Sequence, residues 1–72
     1  MAIRAIFVEN LKRLRAQEKL SQERLALKAN LARAYIGLLE RKKSSPTIDV
    51  VERLAKVLKV KPYELLRPPS DS

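Results

Sequence analysis

Apolar residues recur along this chain at intervals of three and four, and nowhere do β-branched residues alternate with polar ones. That spacing gathers side chains on one face of a helix and offers nothing to a sheet. Ile3, Phe7, Leu11 and Leu14 set the first such stripe, on a helix expected from about Ile3 to Lys19. Arg4, Lys12, Arg13 and Arg15 fall mostly outside it. At 72 residues there is room for one small core. Ordering costs roughly 1.5 kcal/mol per residue and nearly cancels what burial contributes. Such a chain must be compactly helical, or be stabilised by a partner or a second copy.

The residues that are missing narrow the chemistry. With no cysteine and no histidine, there is no disulfide frame, no thiolate nucleophile and no zinc finger. This suits a reducing cytoplasm. A hydrophobic content of 46% is too high for a simply disordered chain. No apolar run approaches the ~18 residues of a membrane span, and Met1-Ala2-Ile3-Arg4 leads into no signal-peptide pattern. Lys and Arg number 16 against 8 Asp and Glu, a net charge of +8 that points to a polyanionic partner.

Four breaks divide the chain into five helices. Ser21 can cap a second helix from about Gln22 to Ala29, because its hydroxyl accepts an orphan backbone N–H; Leu25 and Ala26 then turn inwards. Asn30 tolerates the left-handed conformation that ends a helix. A third helix follows from about Ala32 to Arg41, with Ile36 and Leu39 inside and Arg33, Ala34, Gly37, Leu38 and Arg41 on the other side. After a polar basic loop to Pro46, Thr47 or Ser45 can cap a fourth helix to about Leu58. Its expected buried stripe is Ile48, Val51, Leu54, Ala55 and Leu58. Pro62 suits the first position of a short fifth helix through Leu66. Residues 1–66 read as one domain and 67–72 as a frayed, flexible tail, with no internal repeat or low-complexity segment.

Residues 20–40 carry most of the functional information. Two short helices separated by about three residues form a helix-turn-helix, the motif proper spanning about 21–40. Ala26 sits where the two helices cross closely, and Leu25, Leu31, Ile36 and Leu39 form the wedge beneath the corner. The third helix must then show small or polar groups outwards if it is to enter a major groove ~12 Å wide.

The run Ser21-Gln22-Glu23-Arg24-Leu25-Ala26, then Asn30-Leu31-Ala32-Arg33-Ala34-Tyr35-Ile36, then Leu39-Glu40-Arg41, resembles the phage-repressor (Cro/XRE-like) helix-turn-helix family. The likeness extends from about Val8 to Leu66 and takes in Pro46-Thr47-Ile48 and the stretch from Leu58 to Leu66. The Asn-Leu-x-Arg-x-Tyr-Ile stretch with its Glu-Arg is similar to controller proteins of restriction–modification systems. The resemblance implies an all-α, compact five-helix, lambda-repressor-like DNA-binding domain.

It also implies roles. Arg33, Ala34, Tyr35, Gly37 and Leu38 occupy groove-facing positions; a guanidinium at Arg33 can pair with guanine O6 and N7. Gln22 would face a phosphate at the start of the second helix, and Arg41, Lys42, Lys43 and Ser44 would meet the backbone beside the groove. Arg15 and Glu40 match a pair that links the first helix to the third. Three positions depart from the pattern: Asn30 replaces the common turn glycine, Ala32 stands where a capping Ser, Thr or Asp is usual, and Gly37 lies inside the recognition helix.

Val50 and Val57 lie seven residues apart on one edge of the fourth helix, and Val60, Leu65 and Leu66 add apolar surface. A generous core would absorb them; a two-fold homodimer seam would bury them, and members of the resembled family commonly dimerise here. A dimer would set two recognition helices ~34 Å apart on a near-palindromic operator.

The leading function is therefore a sequence-specific, dimeric transcriptional regulator on double-stranded DNA, acting by occupancy: blocking RNA polymerase or recruiting it. A DNA-binding antitoxin with a toxin partner is the alternative, and a basic amphipathic membrane binder a third class. An enzyme is the least expected, because the eight acids are scattered among bases and no cofactor or metal site is legible.

Overall fold

The structure, a computed structural model, describes residues 2–69. Among these are five α-helices and no strand: α1 (Ile3–Gln17), α2 (Gln22–Ala29), α3 (Arg33–Glu40), α4 (Ile48–Leu58) and α5 (Pro62–Leu66). Helix starts follow capping chemistry. The Ser21 hydroxyl accepts from the Arg24 N–H at 3.0 Å, and Thr47 rather than Ser45 caps α4, accepting from the Val50 N–H at 3.1 Å. Pro62 opens α5, and Ala32 opens α3 with no side-chain cap.

Four helix ends share one device. Lys19, Asn30, Lys42 and Lys59 all take left-handed backbone conformations, with φ between 57° and 64°. The N–H of the next residue then reaches back to a carbonyl five residues earlier: Leu20 to Arg15, Leu31 to Ala26, Lys43 to Leu38 and Val60 to Ala55. These bonds satisfy carbonyls that the helix leaves orphaned. At three of the ends the residue so drawn in, Leu20, Leu31 or Val60, packs against the core.

Phe7, Leu11, Leu25, Ile36, Leu39, Leu54, Leu58 and Leu65 are fully buried and form one cluster drawn from all five helices. Helix α1 packs on α5 and α3, α2 on α3 and α4, and α4 on α5. Ala26 and Ala55 are both buried, which lets the backbones near them approach closely. A buried asparagine ties the chain's two ends together. Asn10 Nδ2 donates to the Leu65 carbonyl at 2.9 Å and the Arg67 carbonyl at 2.8 Å, while its Oδ1 accepts from Arg13 at 3.1 Å. Arg67, expected in the tail, is thereby held to the body; residues 70–72 lie outside the described residues.

Several expectations need correction. Helix α1 ends two residues earlier than Lys19, because Lys19 adopts the left-handed conformation. Ile3 and Ile48, placed on buried stripes, are 55% and 88% exposed: each lies at the first position of its helix, on an open apolar recess that Phe7, Val51 and Leu66 also line. Leu65, placed in a dimer seam, is wholly inside the core, since α5 is pinned to α1 through Asn10. Val50, Val57 and Val60 are half-buried and lean on the same core, and only Leu66 of the five seam residues is exposed. No helix of the described residues is long and apolar enough to cross a membrane.

Candidate nucleic-acid interface

Helices α2 and α3 are locked to α1 by a buried carboxylate. Glu40, at the last position of α3, is 5% exposed. Its two oxygens accept from Arg15 of α1, Nε to Oε2 at 2.7 Å and Nη2 to Oε1 at 2.9 Å, and Gln22 of α2 donates Nε2 to Oε1 at 3.0 Å. Arg15 also donates Nη1 to the Leu20 carbonyl at 2.9 Å, fixing the entrance to α2. Burial by itself would raise the Glu40 carboxyl. The hydrogen bonds from Arg15 and Gln22, with the charges of Arg15 and Lys12, outweigh it and hold the carboxyl below its ordinary value. The expected pair of Arg15 and Glu40 is thus present as a bidentate fork, and Gln22, expected at a phosphate, is a third member.

That third member changes what Gln22 can offer. A carboxylate only accepts, so the amide nitrogen must face Glu40 and the amide oxygen must face away. The amide nitrogen carries two N–H donors and Glu40 takes one of them, which leaves the second for the expected phosphate contact.

With its inner face fixed, α3 shows Arg33, Ala34 and Leu38 to solvent, and Tyr35 lies half-buried against the core. Gly37, expected to face a base, is buried instead. Its covering is the side chain of Arg41: a Cβ built at Gly37 would stand 3.2 Å from Arg41 Nη1 and 3.9 Å from Gln22 Oε1. Arg41, Lys42 and Lys43 are exposed and Ser44 is half-buried in the loop beyond. None of Arg33, Arg41, Lys42 and Lys43 pairs with a carboxylate among the described residues, whose three ion pairs are Arg15–Glu40, Lys59–Glu18 and Arg67–Glu64. The expected groove-facing set is therefore brought together with its basic flank, Gly37 excepted. No group of three or more acids among the described residues could hold a metal ion.

A sequence profile described as helix-turn-helix, HTH_3, matches residues 11–65, which include the whole lock and the exposed face of α3. The chain belongs to that family. It is 35% identical over 69 residues to a Neisseria meningitidis hypothetical transcription factor, covering 96% of this chain and 65% of that protein. It is 41% identical over 66 residues to the control protein C.SmaI of Serratia marcescens, covering 92% and 79%. Among solved structures, the fold superposes on the hypothetical transcription factor NHTF from Neisseria with a TM-score of 0.90 at 36% identity, over 93% of this chain and 77% of that one. It matches the restriction–modification controller protein C.AhdI from Aeromonas hydrophila with a TM-score of 0.84 at 35% identity, over 90% and 98%. It also matches the biofilm regulator SinR, solved in complex with DNA, with a TM-score of 0.80 at 31% identity, over 85% and 98%. The resemblance to the repressor and controller group is confirmed by these matches; the antitoxin alternative draws no support from them.

Proposed function

We propose that this protein is a sequence-specific DNA-binding transcriptional regulator that acts as a homodimer on a near-palindromic operator, in the manner of restriction–modification controllers. The observation that carries the reading is the exposed face of α3. Arg33, Ala34 and Leu38 stand clear of the core on a helix fixed from behind by Arg15, Glu40 and Gln22, and unpaired cations flank them. The unpaired cations supply affinity for any duplex and make it fall with salt; Arg33 supplies base choice, with Ala34, Tyr35 and Leu38 shaping the contact. Lys42, Lys43 and Ser44 hold the backbone beside the groove. Val50, Val57, Val60 and Leu66 provide the apolar surface for a second copy, without the buried Leu65. Occupancy then blocks RNA polymerase or recruits it, in the cytoplasm.

Selection of bound sequences from random duplex DNA tests this directly. A recovered near-palindrome supports both the base reading and the two-fold symmetry. Recovery of no preferred sequence overturns the assignment of α3 as a reading helix.

A further inference from the structure

Arg33, Gly37 and Arg41 stand at successive intervals of four, so they form one row along α3 and just beyond its end. Side chains on a helix lean towards its N-terminus, so a long residue covers the turn before its own. Arg41 therefore lies back over residue 37. A side chain there would occupy the space it uses: an added Cβ would stand 3.2 Å from Nη1, closer than the two atoms comfortably sit. Gln22 Oε1 reaches the same spot, at 3.9 Å, with its nitrogen held on Glu40. The guanidinium is thus carried out of the loop and back to the middle of α3, beside an oxygen of the α1–α2–α3 lock.

We infer that Gly37 is a positioning residue for DNA binding, its missing side chain being the seat that holds the Arg41 guanidinium over the middle of the recognition helix to meet a DNA phosphate. The inference rests on the DNA-binding reading above and adds a cause for the one glycine in the chain. Glycine inside a helix weakens it, and Gly37 has a negative φ, so the backbone conformation itself does not call for glycine. What glycine supplies at this position is room.

The seat separates two properties that normally fall together. Gly37→Ala adds a better helix former, and the atom it crowds is the far end of a flexible side chain, so the fold loses little. Alanine makes the guanidinium give by only a few tenths of an ångström, whereas the longer side chain of Gly37→Leu, also a better helix former than glycine, fills the seat itself. The probe is the duplex recovered by wild-type protein from a random pool, with affinity measured across a salt series and melting followed by circular dichroism. Gly37→Leu is expected to melt no lower than wild type, to bind about 3–10-fold more weakly, and to show a shallower salt slope, by up to about one, with Gly37→Ala lying between it and wild type. In an Arg41→Ala background, adding Gly37→Leu is expected to change affinity no further. Wild-type affinity in Gly37→Leu, or the same loss with Arg41 already removed, overturns the inference while leaving DNA binding intact. Failure of the wild-type protein to select any duplex overturns the underlying reading, and the inference with it.

Discussion

The lock around Glu40 yields a prediction whose two halves differ in size for a stated reason. Removing one partner of a buried ion pair strands the other, at a cost of about 3–5 kcal/mol when both are fully enclosed. Here the enclosure is unequal: the Glu40 side chain is 4% exposed and that of Arg15 22%. In Arg15→Ala the carboxylate loses two charge-assisted hydrogen bonds and keeps only that from Gln22. We expect that variant to lose about 2–4 kcal/mol, the lower end reflecting a site that is not wholly dry. At about 4–8 °C per kcal/mol for a domain of this size, its melting temperature should fall by about 10–30 °C. In Glu40→Gln the stranded group is Arg15, which keeps the Leu20 carbonyl and can swing towards solvent; we expect about 1–2 kcal/mol.

The pH dependence of the two proteins should have opposite sign. In the wild type the folded-state pKa of Glu40 is depressed, so its contribution is fully present above the unfolded value. It is lost as pH falls through the folded value. In Arg15→Ala the hydrogen bonds and charge of Arg15 are gone and burial acts to raise the carboxyl against Gln22 and Lys12 alone, so acidification towards about pH 5 should narrow the gap to wild type. Urea denaturation of wild type and both variants, at neutral pH and at about pH 5, reads every quantity. If Glu40→Gln costs more than Arg15→Ala, or if the gap widens on acidification, the account of the lock is wrong.

Other outcomes follow from single contacts. Arg33→Ala should weaken operator binding by about 1–3 kcal/mol and relax base choice, read by repeating the selection. Lys42→Ala should weaken binding to all duplexes alike and lower the salt slope by about one. Asn10→Leu should cost about 2–3 kcal/mol in denaturant melts, because it leaves the carbonyls of Leu65 and Arg67 without their donor. Ile48→Ser should change stability by less than about 0.5 kcal/mol, against about 2–5 kcal/mol for Leu54→Ala.

Helix beginnings were legible in the sequence because capping is local. Ser21, Thr47 and Pro62 act on backbone groups within three residues, so no knowledge of the rest of the chain is needed. The inner face of the motif was equally plain, since Leu25, Ile36 and Leu39 repeat at helical intervals and have helices on both sides to bury them. Periodicity says which residues share a face but not where the opposing surface stands open, and Ile3 and Ile48 lie on such a recess. Leu65 was misplaced for the complementary reason: a short helix shows too few turns to reveal its inner side. Asn10 carries a signal in the sequence, a lone amide between Val8 and Leu11 on the inward side of α1. The roles of Gln22 and Gly37 depend on contacts among three helices, which no local pattern contains.

The left-handed helix ends bear on how this protein could change. Three of the four are lysines, in a conformation that costs a residue with a side chain about 1–2 kcal/mol relative to what glycine would bear. Each therefore keeps a cation against the preference of its own backbone. At Lys19 and Lys59, outside α3 and the loop that follows it, a change to glycine would relieve the backbone and dilute the general attraction to DNA, at Lys59 with loss of the exposed ion pair to Glu18. At Lys42 the same change would remove a charge from the loop beside that face. Thermal tolerance and hold on DNA are thus separable traits at two of these helix ends and opposed traits at the third, so a lineage moving to a hotter habitat has two substitutions open to it and one that exacts a loss of grip.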